Sequence, residues 1–313
     1  MQNKIVIVAG SGRSGTTWVQ DALAEANGLR TVFEPLHPTG VPESRKFSYQ
    51  YIEPEADHPD LKLFMNKALY GNYRSIWMNY RIRPDRFNLY RVGIKQAAYN
   101  ATKLARHYRK YRKNKNNGII VKFIRANLML PWLVRQYGLP VLFITRHPCA
   151  VISSRLKLGG NDWASQRNLE RYRSIPAVVE LIKCEFGIDI KQSFSIVEAL
   201  ACVWCIENIL PLQWAHDGGY VVTAYEILIN QPDKEWNRIV HELALQNTPH
   251  KMLRESPSQQ ASMQMHGMKY TRGYIGKWRD ELSVDQIRGI SAMLERFRFS
   301  GYSVENDFPS QGL

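Results

Sequence analysis

A short apolar run, Ile5–Ala9, leads into Gly10-Ser-Gly-Arg-Ser-Gly-Thr-Thr-Trp18. Glycines at 10, 12 and 15 let backbone N–H groups approach a ligand closely, and a helix starting at Gly15 adds the partial positive charge of its N-terminus. Thr16 and Thr17 supply hydroxyl donors, and Arg13 supplies a full positive charge. This is the chemistry of an anion cradle, with phosphate as its natural occupant. Two nucleotide folds use such a loop. The triphosphatase pattern GxxxxGK[ST] fits Gly10 and Gly15, but Thr16 stands where a Lys would neutralise phosphate, and no acidic strand end offers to hold magnesium. The dinucleotide pattern GxGxxG fits Gly10, Gly12 and Gly15, with Glu34 19 residues further on, where a ribose-binding acid belongs.

A second constellation argues against both. Val141–Thr145 reads as a strand with Arg146 at its end, Pro148 opens a helix, and Ser154 lies eight residues beyond the arginine. Two helical turns bring the guanidinium fork and the hydroxyl to nearby faces, where they can converge on one phosphate. A dinucleotide enzyme has no need of that pair. Tyr225-Glu226-Ile-Leu228 follows the fifth expected strand, and Tyr270-Thr-Arg272-Gly273-Tyr-Ile-Gly276-Lys-Trp278-Arg279 adds a basic glycine-containing loop near the C-terminus.

In order along the chain, these four motifs resemble those of the sulfotransferases that use 3′-phosphoadenosine 5′-phosphosulfate (PAPS). The resemblance implies an α/β fold, a mainly parallel central sheet flanked by helices, of the P-loop nucleotide-kinase-like sulfotransferase kind. It implies PAPS as donor, 3′-phosphoadenosine 5′-phosphate (PAP) as product, and no metal requirement. Gly12, Arg13, Ser14, Gly15, Thr16 and Thr17 would hold the 5′-phosphate, with Arg13 also at the leaving oxygen. Arg146, Ser154, Arg272 and the Gly273 amide would hold the 3′-phosphate, and Trp18 and Tyr225 would lie near the adenine. The sequence departs from the family pattern at His147, where an acid or Asn is usual, and at Thr271, where a basic residue is usual.

Aryl and steroid sulfotransferases carry a His in a K-[TS]-H segment on the third strand; the corresponding stretch, Lys122-Phe-Ile-Arg125, has none. Phe33-Glu34-Pro35-Leu36-His37 instead resembles the F-E-P-L segment of carbohydrate sulfotransferases. Glu34 is therefore the expected general base and His37 the reserve; the competing role for Glu34 is to orient Arg13 or cap a turn. The expected acceptor is a hydroxyl, less readily an amine, on a glycan or small natural product. An NAD(P)-binding Rossmann oxidoreductase and a P-loop kinase are the competing readings.

The elements that must position these residues alternate. Strands are expected at Lys4–Ala9, Arg30–Phe33, Ile119–Phe123, Pro140–Thr145 and Tyr220–Ala224, with helices between them. One domain, residues 1–313, is expected, with 38–117 inserted as a lid or acceptor-side region. Within it Pro38–Arg91 is rich in Tyr, Arg and Pro and shows little periodicity. Pro249–Gln264 reads as a mobile polar loop. Ile196–Ala215 approaches membrane-span length but contains Glu198, Glu207 and Pro211, and reads as a buried helix. Cys202 and Cys205 fall inside it and read as core thiols. With no long apolar leader, the chain reads as cytoplasmic.

The charge is unusual. Lys and Arg number 42 against 28 Asp and Glu, a net +14, which points to an anionic partner. Six Lys or Arg crowd Arg106–Lys115, a segment suited to an anionic membrane surface, an acidic glycan or nucleic acid, or to a solvated basic helix end before a turn at Asn116-Asn117-Gly118. No nucleic-acid module accompanies it, so no nucleic acid is expected as a partner. Nothing in the sequence speaks to oligomeric state.

Overall fold

The computed structural model describes residues 4–70, 73, 75–81, 117–158, 165–255 and 275–311, with scattered positions between 98 and 109. Strands form where short runs of β-branched and aromatic residues occur: β1 (Ile5–Gly10), β2 (Arg30–Phe33), β3 (Ile119–Phe123), β4 (Val141–Thr145) and β5 (Val221–Ala224). The helices in the first half are α1 (Thr16–Ala26), α2 (Pro59–Leu69), α3 (Ile76–Tyr80), α4 (Leu130–Tyr137) and α5 (Pro148–Leu156). There follow α6 (Arg167–Arg173), α7 (Pro176–Phe186), α8 (Ile196–Gly218), α9 (Tyr225–Asn230) and α10 (Pro232–Glu242). Last come α11 (Lys251–Glu255), α12 (Trp278–Glu281) and α13 (Val284–Arg296).

The strands pair in parallel in the order β2-β3-β1-β4-β5. A parallel sheet needs cover on both faces. Ile5, Ile7 and Ala9 of β1 pack with α2, α3 and α4, while Val6 and Val8 pack with α1 and α10. The order is not that of the dinucleotide fold, in which the second strand lies beside the first. Here β3 enters between them, and β2 is left at the edge. The crevice that such sheets open to ligands lies at the carboxyl ends of the strands, and there β1 and β4 deliver the glycine loop and Arg146.

Two expectations are corrected. Pro38–Arg91 is not irregular in its described part: it holds a 3-10 turn at Pro42–Ser44, then α2 and α3. Leu61, Phe64, Met65, Ala68 and Leu69 have helical spacing and join the same core as β1 and β3. Within Pro249–Gln264, Lys251–Glu255 is helical, and residues beyond 255 lie outside the described part. The basic segment Arg106–Lys115, apart from Tyr108 and Arg109, also lies outside it.

α8 is long and apolar enough to cross a membrane, with mean hydropathy 1.4 over Ile196–Ala215, but 78% of that window is buried within the fold. A capping box, Ser195 with Glu198, starts it. Cys202 and Cys205 are buried and unpaired by disulfide; burial pushes the Cys202 thiol up to about 12. They are core residues.

Candidate active site

Gly10 needs its missing side chain: a Cβ there would lie 2.3 Å from the Ile144 carbonyl oxygen. Gly15 caps α1 at φ 88°, and a Cβ there would lie 2.7 Å from the ring of Tyr225. The loop is thus pressed onto β4 and α9. Within it, Ser14 N–H donates to Ser11 O at 3.2 Å, and the two serine hydroxyls meet at 2.7 Å. Ser14 therefore turns its side chain into the loop rather than toward a ligand.

The two motifs expected to hold phosphate meet. Arg13 Nε donates to Ser154 Oγ at 2.8 Å, and Arg146 Nη1 donates to the Arg13 carbonyl at 3.1 Å. The Arg146 guanidinium lies 4.3 Å from the centre of the Tyr225 ring. Trp204 Nε1 donates to the Arg146 carbonyl at 3.0 Å, fixing the strand end. Burial, followed by the nearby charges of Arg146 and Arg155, lowers the Arg13 pKa to about 10. A loop ringed by guanidiniums that repel one another is built to receive an anion.

His147 caps the helix that follows it. Its Nδ1 accepts from Cys149 N–H at 3.2 Å, capping α5, and its Nε2 lies 3.0 Å from the Ser303 carbonyl. The ring is fully enclosed and stacks on Trp278 at 4.8 Å. Burial lowers its pKa to about 4. Trp18 is a correction: it is buried with Trp236 and Tyr225 in the core under α1, and its ring has no open face for an adenine. Arg272 and Gly273 lie outside the described residues.

Glu34 sits just past β2, itself at a positive φ of 43°. Its carboxylate is buried and doubly paired, to Lys122 Nζ at 2.6 Å and to Arg125 Nη1. Lys122 also donates to Thr17 Oγ1 at 2.9 Å, so Glu34 reaches the glycine loop through a lysine. Burial alone would raise the Glu34 pKa, but Lys122 and Arg125 outweigh it and hold the carboxyl near 2. Burial draws the Lys122 pKa down against the pull of Glu34. The expected partner Arg13 is thus replaced by two cations that sequence reasoning passed over. A lone Lys inside the apolar run Ile119–Phe123 was the available signal, since a buried charge demands a partner.

His37 is ill placed as a base. Its Nδ1 accepts from Gly40 N–H at 3.0 Å, and the ring packs on Trp77 at 4.2 Å. The lone pair a base would use is spent on the turn. Tyr49 is a third residue of this site that the sequence motifs do not reveal. It holds φ at 65°, accepts from Arg171 at 3.2 Å, and lies against the Arg125 guanidinium. Arg13, Glu34 and Tyr49 all occupy the left-handed region, the kind of stored backbone strain that gathers at functional sites. Among the described residues, no group of three His, Cys, Asp or Glu is gathered to hold a metal.

Acid should unfold the protein in two stages. His147 binds its proton near its ordinary 6.5 when unfolded and near 4 when folded, so stability falls as pH drops through that window. Glu34 moves from its ordinary 4.5 to about 2, so a second loss follows between those values. Each is worth up to about 3 kcal/mol. Urea unfolding at stepped pH measures both, and His147→Asn is expected to flatten only the upper stage.

No family model and no curated protein matches the chain. Solved structures overlay nearly its whole length. One is the sulfotransferase domain from the Synechococcus PCC 7002 olefin synthase, at 17% identity and TM-score 0.46, covering 93% of this chain and 94% of that one. Another is the sulfotransferase domain from the curacin biosynthetic pathway, at 12% and 0.45, covering 95% and 98%. A third is retinol dehydratase in complex with androsterone and the inactive cofactor PAP, at 12% and 0.39, covering 93% and 80%. At these identities and scores the likeness is one of general architecture.

Proposed function

We propose that this chain is a sulfotransferase, moving a sulfuryl group from PAPS to an acceptor hydroxyl, less readily an amine, of a glycan or small natural product. One observation carries the reading: Arg13 of the glycine loop is hydrogen-bonded to Ser154, while Arg146 holds the Arg13 carbonyl. Motifs more than 130 residues apart form one polyvalent anion site, wide enough in its donors for a ligand with phosphates at both ends. The rival readings lose their supports. Glu34 is locked between Lys122 and Arg125 rather than offered to a ribose, and the strand order is not that of the dinucleotide fold. A P-loop kinase lacks its lysine at Thr16.

When bound, the donor supplies the sulfuryl group and a bisphosphate leaving group. Arg13, Thr16, Thr17 and the loop amides would hold its 5′ end. Arg146 and Ser154 would hold the 3′-phosphate, with Arg272 and Gly273 joining from the C-terminal loop. Sulfuryl transfer, like phosphoryl transfer, depends mainly on positioning and on stabilising charge. Lys122 and Arg125 flank the Glu34 carboxylate, and Lys122 also holds Thr17, so this cluster would bring positive charge beside Thr17 where developing oxyanion charge needs it. Glu34 first keeps these cations charged and aimed. To act as base it must exchange one of them for the acceptor hydroxyl, because a carboxylate held near 2 takes up a proton poorly.

Thermal unfolding with PAP, with NAD, and with ATP plus magnesium tests the reading. PAP at a hundredfold excess over its Kd should add about 2.7 kcal/mol of stability, while the others add little. Stabilisation by NAD alone overturns the proposal.

A further inference from the structure

A buried ion pair lies beneath the glycine loop, and the chemistry above makes no use of it. Arg155, the residue after Ser154, is fully buried, as is Glu207 of α8. Arg155 Nη2 donates to Glu207 Oε2 at 2.6 Å and to the Gly12 carbonyl at 3.4 Å. The other carboxylate oxygen accepts from the Tyr172 hydroxyl of α6 at 3.0 Å. Asn127 Nδ2 holds the Glu207 carbonyl at 2.8 Å. A buried ion pair is seldom more stable than apolar residues of equal volume. This one also sets a second cation against Arg13, whose pKa it helps to lower. Stability alone does not account for it.

We propose that Arg155 is a positioning residue for the donor loop. Clamped by Glu207 and Tyr172, it keeps the Gly12 carbonyl on the inner side, so that the loop turns amides rather than carbonyl oxygens toward the anion. The C=O and N–H of a trans peptide point in opposite directions, so fixing the Gly12 carbonyl fixes the Arg13 amide. Gly12 has the conformational freedom to let that peptide flip. Arg146 applies the same restraint to the next carbonyl, that of Arg13. The inference rests on the donor reading given above.

The test titrates PAP calorimetrically into the wild-type chain, Arg155→Met, Arg155→Lys and the double variant Arg155→Met/Glu207→Gln, with thermal unfolding of each. Arg155→Met strands the Glu207 charge and lowers Tm. The double variant removes both charges, leaves Tyr172 an acceptor, and regains most of that Tm. PAP affinity is expected to stay about tenfold weaker in both, the worth of one lost positioning contact. Recovery of affinity together with Tm overturns the proposal, because the pair would then be structural only. Unchanged affinity in Arg155→Lys overturns it too, since lysine keeps the charge but cannot grip both partners in the same way. Failure of the wild-type chain to bind PAP overturns the donor reading itself and the role of Arg155 with it.

Discussion

Glu34→Gln is expected to reduce turnover by about a thousandfold and to lower Tm by about 5–8 °C. The two losses share one cause. Lys122 and Arg125 are both buried, and Glu34 is the carboxylate that joins them. An amide cannot neutralise either, and stranding a buried charge typically costs about 3–5 kcal/mol. Lys122, whose pKa burial already lowers, is then the group that sheds its proton and loses its hold on Thr17. PAP affinity is therefore expected to fall several-fold as well. If Glu34 acts by holding Lys122, Lys122→Met should reproduce the rate loss, and the double variant should be little worse than either single one. If Glu34 is the base, the double variant should be clearly slower than Lys122→Met. Wild-type turnover in Glu34→Gln would remove Glu34 from the mechanism. Each rate is compared at a temperature where the variant is folded, which separates the chemical loss from the loss of stability.

The parts of this site that could be read from sequence are those whose chemistry is local. The glycine loop announces itself because three glycines after an apolar run permit the positive φ values and close backbone approach that a tight strand-to-helix turn needs. Arg146 and Ser154 could be paired because one helix connects them and fixes their separation. The strands are legible to within a residue because β1 and β4, buried on both faces, read as nearly unbroken apolar runs, while β2 and β3 keep Arg30 and Lys122 among their apolar residues. What stayed hidden depends on pairings between distant segments. Glu34, Lys122 and Arg125 meet only because β3 inserts beside β2, and strand order is not written in either strand's composition. Tyr49 lies in a stretch whose Tyr and Pro content masked the helical spacing of Leu61, Phe64 and Met65. His147 looked like a departure from pattern, yet its imidazole accepts the same capping hydrogen bond that a carboxylate or amide would. Trp18 misled in the other direction: an aromatic beside a nucleotide loop suggests stacking, but its place on α1 faces Trp236.

Arg146→Ala is expected to weaken binding of PAP about a hundredfold and binding of adenosine 5′-phosphate less than tenfold. Hydrogen bonds to a charged partner contribute about 1.5–3 kcal/mol each, and a guanidinium fork offers two in one plane to a phosphate. That interaction exists only for the ligand carrying the 3′-phosphate. The smaller loss has a separate origin: Arg146 also holds the Arg13 carbonyl and stacks on the Tyr225 ring beneath Gly15, so its removal loosens the loop for any ligand. Alanine should be tolerated by the fold, because the strand end is fixed through backbone contacts, Trp204 to the Arg146 carbonyl and Glu226 to the His147 amide. Calorimetric titration of both nucleotides at fixed ionic strength gives the two ratios. Equal losses would mean that Arg146 serves the loop alone, and the 3′-phosphate assignment would fall.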